Sequence, residues 1–73
     1  MKLESREVWQ RDGEVAVDVV GLSLYRVVIT AKAAHILAPG VDEQLDLEEE
    51  WEDMEPESLA LMLVARFEGG VLA

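Results

Sequence analysis

Carboxylates are the one reactive group that this sequence supplies in quantity. Ten of its sixteen Asp and Glu residues lie in residues 42–57, Asp-Glu-Gln-Leu-Asp-Leu-Glu-Glu-Glu-Trp-Glu-Asp-Met-Glu-Pro-Glu, and no Lys or Arg occurs between Lys32 and Arg66. The rest of the chain balances six acids against six bases, so the whole net charge of −10 resides in that one segment. Clustered acids have three chemical uses: holding a cation, acid–base catalysis, or attracting a basic partner.

The first two fit poorly. A calcium loop of the EF-hand kind needs a glycine at its sixth position and a glutamate at its twelfth. Counted from Asp42, those positions hold Leu47 and Asp53, and Gln44 stands at the third. Acid–base catalysis needs carboxylates in different environments inside a pocket, and a run of solvated acids shares one. The sequence has no cysteine and a single histidine, His35, with no Ser, Asp or Glu at helical spacing to orient its ring. Thiolate sites, disulfides and imidazole-rich metal sites are excluded within one chain. No catalytic residue, cofactor or metal site is expected.

The third use fits well. Asp46, Glu48, Glu49, Glu50, Glu52 and Asp53 surround Trp51, the only aromatic residue of the segment. Trp51 reads either as a buried anchor or as an aromatic contact ringed by charge, the usual build of a protein-binding hot spot. A net charge of −10 opposes direct binding to DNA, RNA or anionic lipid, because each phosphate contact needs a cation. Mimicry of a nucleic acid depends on secondary structure. Duplex DNA carries one charge per ~1.7 Å of axis. As a helix, residues 42–54 would carry one acid per ~2.4 Å, and as a strand, 45–52 would carry one per ~5 Å.

The elements that position these residues follow from pattern and punctuation. Asp12-Gly13 between Val8-Trp9-Gln10 and Glu14–Val20 is a strong hairpin signal. Gly21 then allows a third strand over Leu22–Thr30, giving a three-stranded antiparallel meander across about 5–30. Thr30 reads as an N-cap and Pro39-Gly40 as a stop, so Ala31–Ala38 is expected to be a short helix. Residues 42–54 are ambiguous between an acidic helix, with Leu47, Trp51 and Met54 on one face, and an edge strand. Helix is favoured, because Glu is a good helix former and is depleted in strands. Pro56 opens and Gly69-Gly70 closes a last helix over about 57–68.

That last helix is apolar round its full circumference, and a three-stranded sheet cannot cover it. Self-association through Leu59, Met62, Leu63 and Phe67 is therefore expected, the more so because 73 residues lie near the lower limit for folding alone. The longest unbroken apolar run, Leu59–Ala65, is too short to span a membrane, and the first residues lack a signal-peptide core. The sequence thus reads as one small cytoplasmic α+β domain over residues 1–73. Its expected function is a non-catalytic acidic module that binds a basic partner protein. A small inhibitor occupying that partner's nucleic-acid site is the concrete form. The alternative is a homo-oligomeric structural subunit whose acidity serves only solubility.

Overall fold

Residues 3–70 are described by the computed structural model. The chain forms β1 (Glu4–Arg11), β2 (Glu14–Val20), β3 (Leu24–Ile29), β4 (Ala33–Ala38) and β5 (Val41–Asp46), then a 3-10 turn (Glu49–Trp51) and α1 (Pro56–Glu68). The five strands pair in sequence order, each antiparallel to the next. The molecule is α+β, but its sheet has five strands where the sequence pattern suggests three. No helix among the described residues is long and apolar enough to cross a membrane.

Turn chemistry sets the register. Asp12 and Gly13 both take positive φ (44° and 78°), the type I′ geometry that matches strand twist and favours Asp-Gly. Pro39 and Gly40 are the two loop residues between Ala38 and Val41, and Gly40 has φ +75°, as the third position of a type II turn requires. The bulge at Val8 shifts the β1–β2 register between Glu7 and Trp9.

The expected helix at 31–38 is β4 instead. Thr30 makes the side-chain bonds of an N-cap: its hydroxyl accepts from the Lys32 N–H (3.3 Å) and the Ala33 N–H (3.1 Å). The Thr30 N–H also donates to the Ala33 carbonyl at 2.8 Å, which closes a hairpin turn in place of a first helical turn. Pro39-Gly40, read as a helix stop, is the next turn. Ala33, Ala34 and Ile36 are buried in β4, where the pairing of β3 with β5 through this strand outweighs the low strand preference of alanine.

The core lies on one side of the sheet. Val17, Val19, Val27 and Ile36 face α1 and are fully buried, as are Ala60, Leu63 and Val64 on the helix. The Tyr25 and Phe67 rings meet edge to face at 5.9 Å between centroids. Apolar alternation in β2 and β3 produces this layer, because successive side chains of a strand point to opposite faces.

Candidate functional site

Residues 42–57 begin on an edge strand and end in the first turn of α1. Asp42, Glu43 and Asp46 belong to β5, whose outer edge pairs with no other strand among the described residues. Leu47 then leaves the sheet, its N–H bonded to the Lys32 carbonyl at 3.2 Å. The Trp51 N–H bonds to Glu48 (3.0 Å), Glu52 to Glu49 (3.2 Å) and Met54 to Trp51 (3.1 Å), so the segment before Pro56 is a wound turn held by its own backbone. The favoured acidic helix does not form. The edge-strand alternative holds only through Asp46, beyond which the chain turns over the sheet. Like charges at i, i+4 and the Pro56 stop work against a helix here, while β5 completes the pairing of β4.

Trp51 decides the path of this turn. It is only 7% exposed and belongs to the core cluster, with Leu47 and Met54 packed against that cluster beside it. A cleft of about 330 Å³ between Ile29, Thr30, Leu47, Trp51, Met54 and Leu59 marks where the turn meets the sheet and α1. The Arg66 guanidinium lies 5.9 Å from the Trp51 ring centroid. Of the two readings of this residue, the buried anchor is the one the fold realises.

The acids around it have the opposite fate. Asp42, Glu43, Asp46, Glu48, Glu49, Glu50, Glu52, Asp53, Glu55 and Glu57 are all exposed. Among the described residues the only ion pair is elsewhere, Arg26 Nε to Asp18 Oδ1 at 2.8 Å. None of the ten is therefore paired with a basic side chain of the described residues. No three of the described His or acidic residues converge on a point that could hold a metal ion. The result is one unneutralised acidic edge running from β5 through the 3-10 turn. Its charge spacing is that of a strand and a turn, so the duplex-like spacing that a helix would give is absent.

The residues assigned to self-association fall differently from expectation. Leu59 and Leu63 are buried in the chain's own core, and Met62 and Phe67 are half-buried against it. α1 packs on β1, β2 and β3, and the 47–54 turn covers a further flank. Glu57, Ser58, Ala65 and Arg66 are the exposed residues of the helix. α1 thus has a wet side, despite a sequence with few charges.

Two features escaped the sequence reading. Among the described residues nothing covers the side of the sheet away from α1, which carries Val20, Leu24 and Leu37, at 53%, 59% and 36% exposure. Across it the Arg26 guanidinium pairs with Asp18 through two hydrogen bonds (2.8 and 3.2 Å), and Asp18 holds the Arg26 pKa above its ordinary value. The polar residues of β2 and β3 signal a second face, but nothing local says that it stays bare. The second feature is the rim where α1 ends. Glu68 Oε2 accepts the Leu22 N–H at 2.6 Å. Burial of Tyr25 and the Glu68 carboxylate beside its hydroxyl together push that phenol's pKa above 10.0. His35 is half-buried on β4, between Val28 and Gln44 in the register, and not on a helix flank.

No family model, curated protein or solved structure matches the chain.

Proposed function

We propose that this protein is a non-catalytic binding module whose acidic edge docks on the basic surface of a partner protein. One observation carries the reading: ten carboxylates within sixteen residues are all exposed and none is paired with a basic side chain among the described residues. A segment built only to fold would pair or disperse such charge. Here a buried tryptophan pins the middle of the segment, so the charge is displayed on a fixed path. Preorganised charge acts chiefly on encounter, accelerating association with a surface of opposite sign. Trp51 serves as the support of this surface and not as its contact. The setting we infer is cytoplasmic, where a cysteine-free chain forgoes nothing by lacking disulfides. Acting as an inhibitor at a partner's nucleic-acid site belongs to the same proposal, through charge of the right sign without duplex spacing.

The test replaces Glu48, Glu49, Glu50 and Glu52 with Gln, which keeps shape and removes four charges. Wild-type protein immobilised at low salt should retain basic proteins from lysate and release them as salt rises. The four-Gln variant should associate with the retained partner at least about tenfold more slowly. Equal capture by the two proteins at low salt would leave the acids with a solubilising role only.

A further inference from the structure

We propose that the uncovered side of the sheet is a homodimer interface, which two copies share face to face across a two-fold axis along the strands. This inference does not rest on the docking role of the acidic edge.

The residues of the bare face follow from the register. One row crosses the sheet through Arg6, Asp18, Arg26, Leu37 and Asp42. The next, toward the β1–β2 turn, crosses through Trp9, Ala16, Val28, His35 and Gln44. The edge beyond it places Arg11 and Glu14 at one end and Ala33 and Asp46 at the other. Glu4, Val20 and Leu24 close the opposite end.

Charge on this face is arranged differently from charge elsewhere. The face carries five acids (Glu4, Glu14, Asp18, Asp42, Asp46) against three bases (Arg6, Arg11, Arg26), so it holds only −2 of the chain's net charge of −10. A second copy, itself carrying −10, meets the least repulsion here. The ends of the face also differ in sign, with Arg6 and Arg11 on β1 against Asp42 and Asp46 on β5. A two-fold axis along the strands lays the basic end of each copy over the acidic end of the other. An axis between β2 and β3 sets Asp18 of each copy against Arg26 of the other, Val20 against Leu24, and Trp9 against His35. Arg6 and Arg11 are then offset sideways by one strand spacing, ~4.8 Å, from Asp42 and Asp46 of the second copy across the gap between the sheets. No like-charged pair is opposed.

Shape agrees with charge. An interface built on a two-fold axis uses one patch twice, so that patch must hold both a projection and a hollow. Leu24 projects between two clefts. One of about 360 Å³ lies between Leu24, Leu37, Ala38 and the Asp18–Arg26 pair, and one of about 310 Å³ between Leu24, Val20, Ser5 and Arg6. Leu22, in the neighbouring turn, is 73% exposed and extends the apolar end. With this axis four strands of each copy overlap. At ~4.8 Å apart and about six residues long, they project roughly 380 Å² per copy and about 770 Å² for the two. That is below the ~1,000 Å² of a stable specific interface, so the dimer is a weak, transient one. Sheets packed face to face keep their strands within about 30° of parallel, as this axis requires.

Sedimentation equilibrium tests the assignment. Wild type should be dimeric at about 100 μM, far above a micromolar Kd. The dimer should tighten with added salt, because screening relieves the repulsion between two acidic bodies. Leu24→Lys should raise the dissociation constant at least about tenfold, with unchanged circular dichroism and, at a concentration where both proteins are monomeric, an unchanged melting temperature, because the side chain is exposed in the monomer. Arg6→Asp should weaken the dimer, and Arg6→Asp combined with Asp42→Arg should restore it. A wild-type monomer at about 100 μM overturns the proposal. So does a dimer indifferent to Leu24→Lys, which would form through α1, a sheet edge or another surface.

Discussion

The two sides of the sheet hold similar residue types and have opposite roles. Under α1 and the 47–54 turn, Val17, Val19, Val27 and Ile36 are fully buried. On the bare side Val20, Leu24 and Leu37 are exposed, although they are no less apolar. What separates the two sides is the company these residues keep. The covered side is apolar across its central strands, whereas charged residues interleave with the apolar ones on the bare side, such as Glu4 beside Val20 and both Arg26 and Asp42 beside Leu37. A helix can be sealed over the first surface. The second tolerates water, and it suits only a cover that brings matching charge.

The sharpest way to break this contrast is to remove what seals the covered side. Trp51→Ala should destabilise the fold by about 3–5 kcal/mol, as for other buried tryptophans. Leu63→Ala, at the centre of α1's buried face, should cost about 2–5 kcal/mol. Leu24→Ala deletes the same atoms from the bare side and should change monomer stability by no more than about 0.5 kcal/mol. Urea melts on the three variants at a concentration where the protein is monomeric would measure the difference. Equal losses for Leu63→Ala and Leu24→Ala would mean that the bare side is already covered.

The rim where α1 ends offers a finer probe of the same cover. A Cβ added at Gly21 would lie 2.5 Å from Glu68 Oε2 and 2.7 Å from Leu3 Cδ2. Both are ends of flexible side chains, so they yield, and the Leu22 N–H loses its carboxylate partner. Gly21→Ala should therefore cost about 1 kcal/mol, the net worth of one such bond. In a Glu68→Ala background the same substitution should cost less, because the bond and the clash with Glu68 are already gone and only the contact with the Leu3 side chain remains. Additive losses would show that Glu68 does not bind this turn.

Tyr25 lies on that rim, and its ionisation reports on how well α1 seals it. Burial first, and the Glu68 carboxylate second, raise its pKa above 10.0 in the folded protein. The folded state then holds its phenolic proton to higher pH than the unfolded chain does. This contribution to stability is complete below about pH 10 and is lost as pH rises through the folded pKa. The melting temperature should fall from about pH 9.5 to 11 in wild type, and fall less in Tyr25→Phe. As Tyr25 is the only tyrosine, phenolate absorbance would follow the same group directly.

The parts legible in the sequence are those set by nearest neighbours. Asp12-Gly13 and the alternation of Val15, Val17 and Val19 specify a hairpin without outside help, and Pro56 with Gly69-Gly70 delimits α1 closely. What misled was local chemistry shared by two structures. The Thr30 hydroxyl makes N-cap bonds in a β-turn, and Pro39-Gly40 ends a helix or joins two strands with equal ease. Ala33–Ala38 has no strong strand preference and becomes β4 because partners stand on both sides. α1 packs on β1, β2 and β3, the strands the sequence pattern already supplies; the expectation of a bare apolar helix comes from missing the 47–54 turn, which covers a further flank. The acidic edge was legible by position and charge. Its shape was not, because Trp51 binds the turn to a core assembled from distant residues.

The smallest expected effect concerns the acidic edge, which belongs to neither side of the sheet. If its ten carboxylates are unpaired and exposed, they contribute only mutual repulsion to stability, and exposed charge terms amount to tenths of a kcal/mol each. Replacing Glu48, Glu49, Glu50 and Glu52 by Gln should raise the melting temperature by about 1–3 °C at low salt, where 1 kcal/mol corresponds to roughly 4–8 °C for a domain of this size. Salt shortens the range of the same repulsion, so wild type should gain stability with ionic strength and the variant should gain less. A variant destabilised by more than about 1 kcal/mol would show that some of these acids hold structural contacts. The charge would then belong to the seal of the covered side, and the division between a sealed interior and a freely displayed edge would fail.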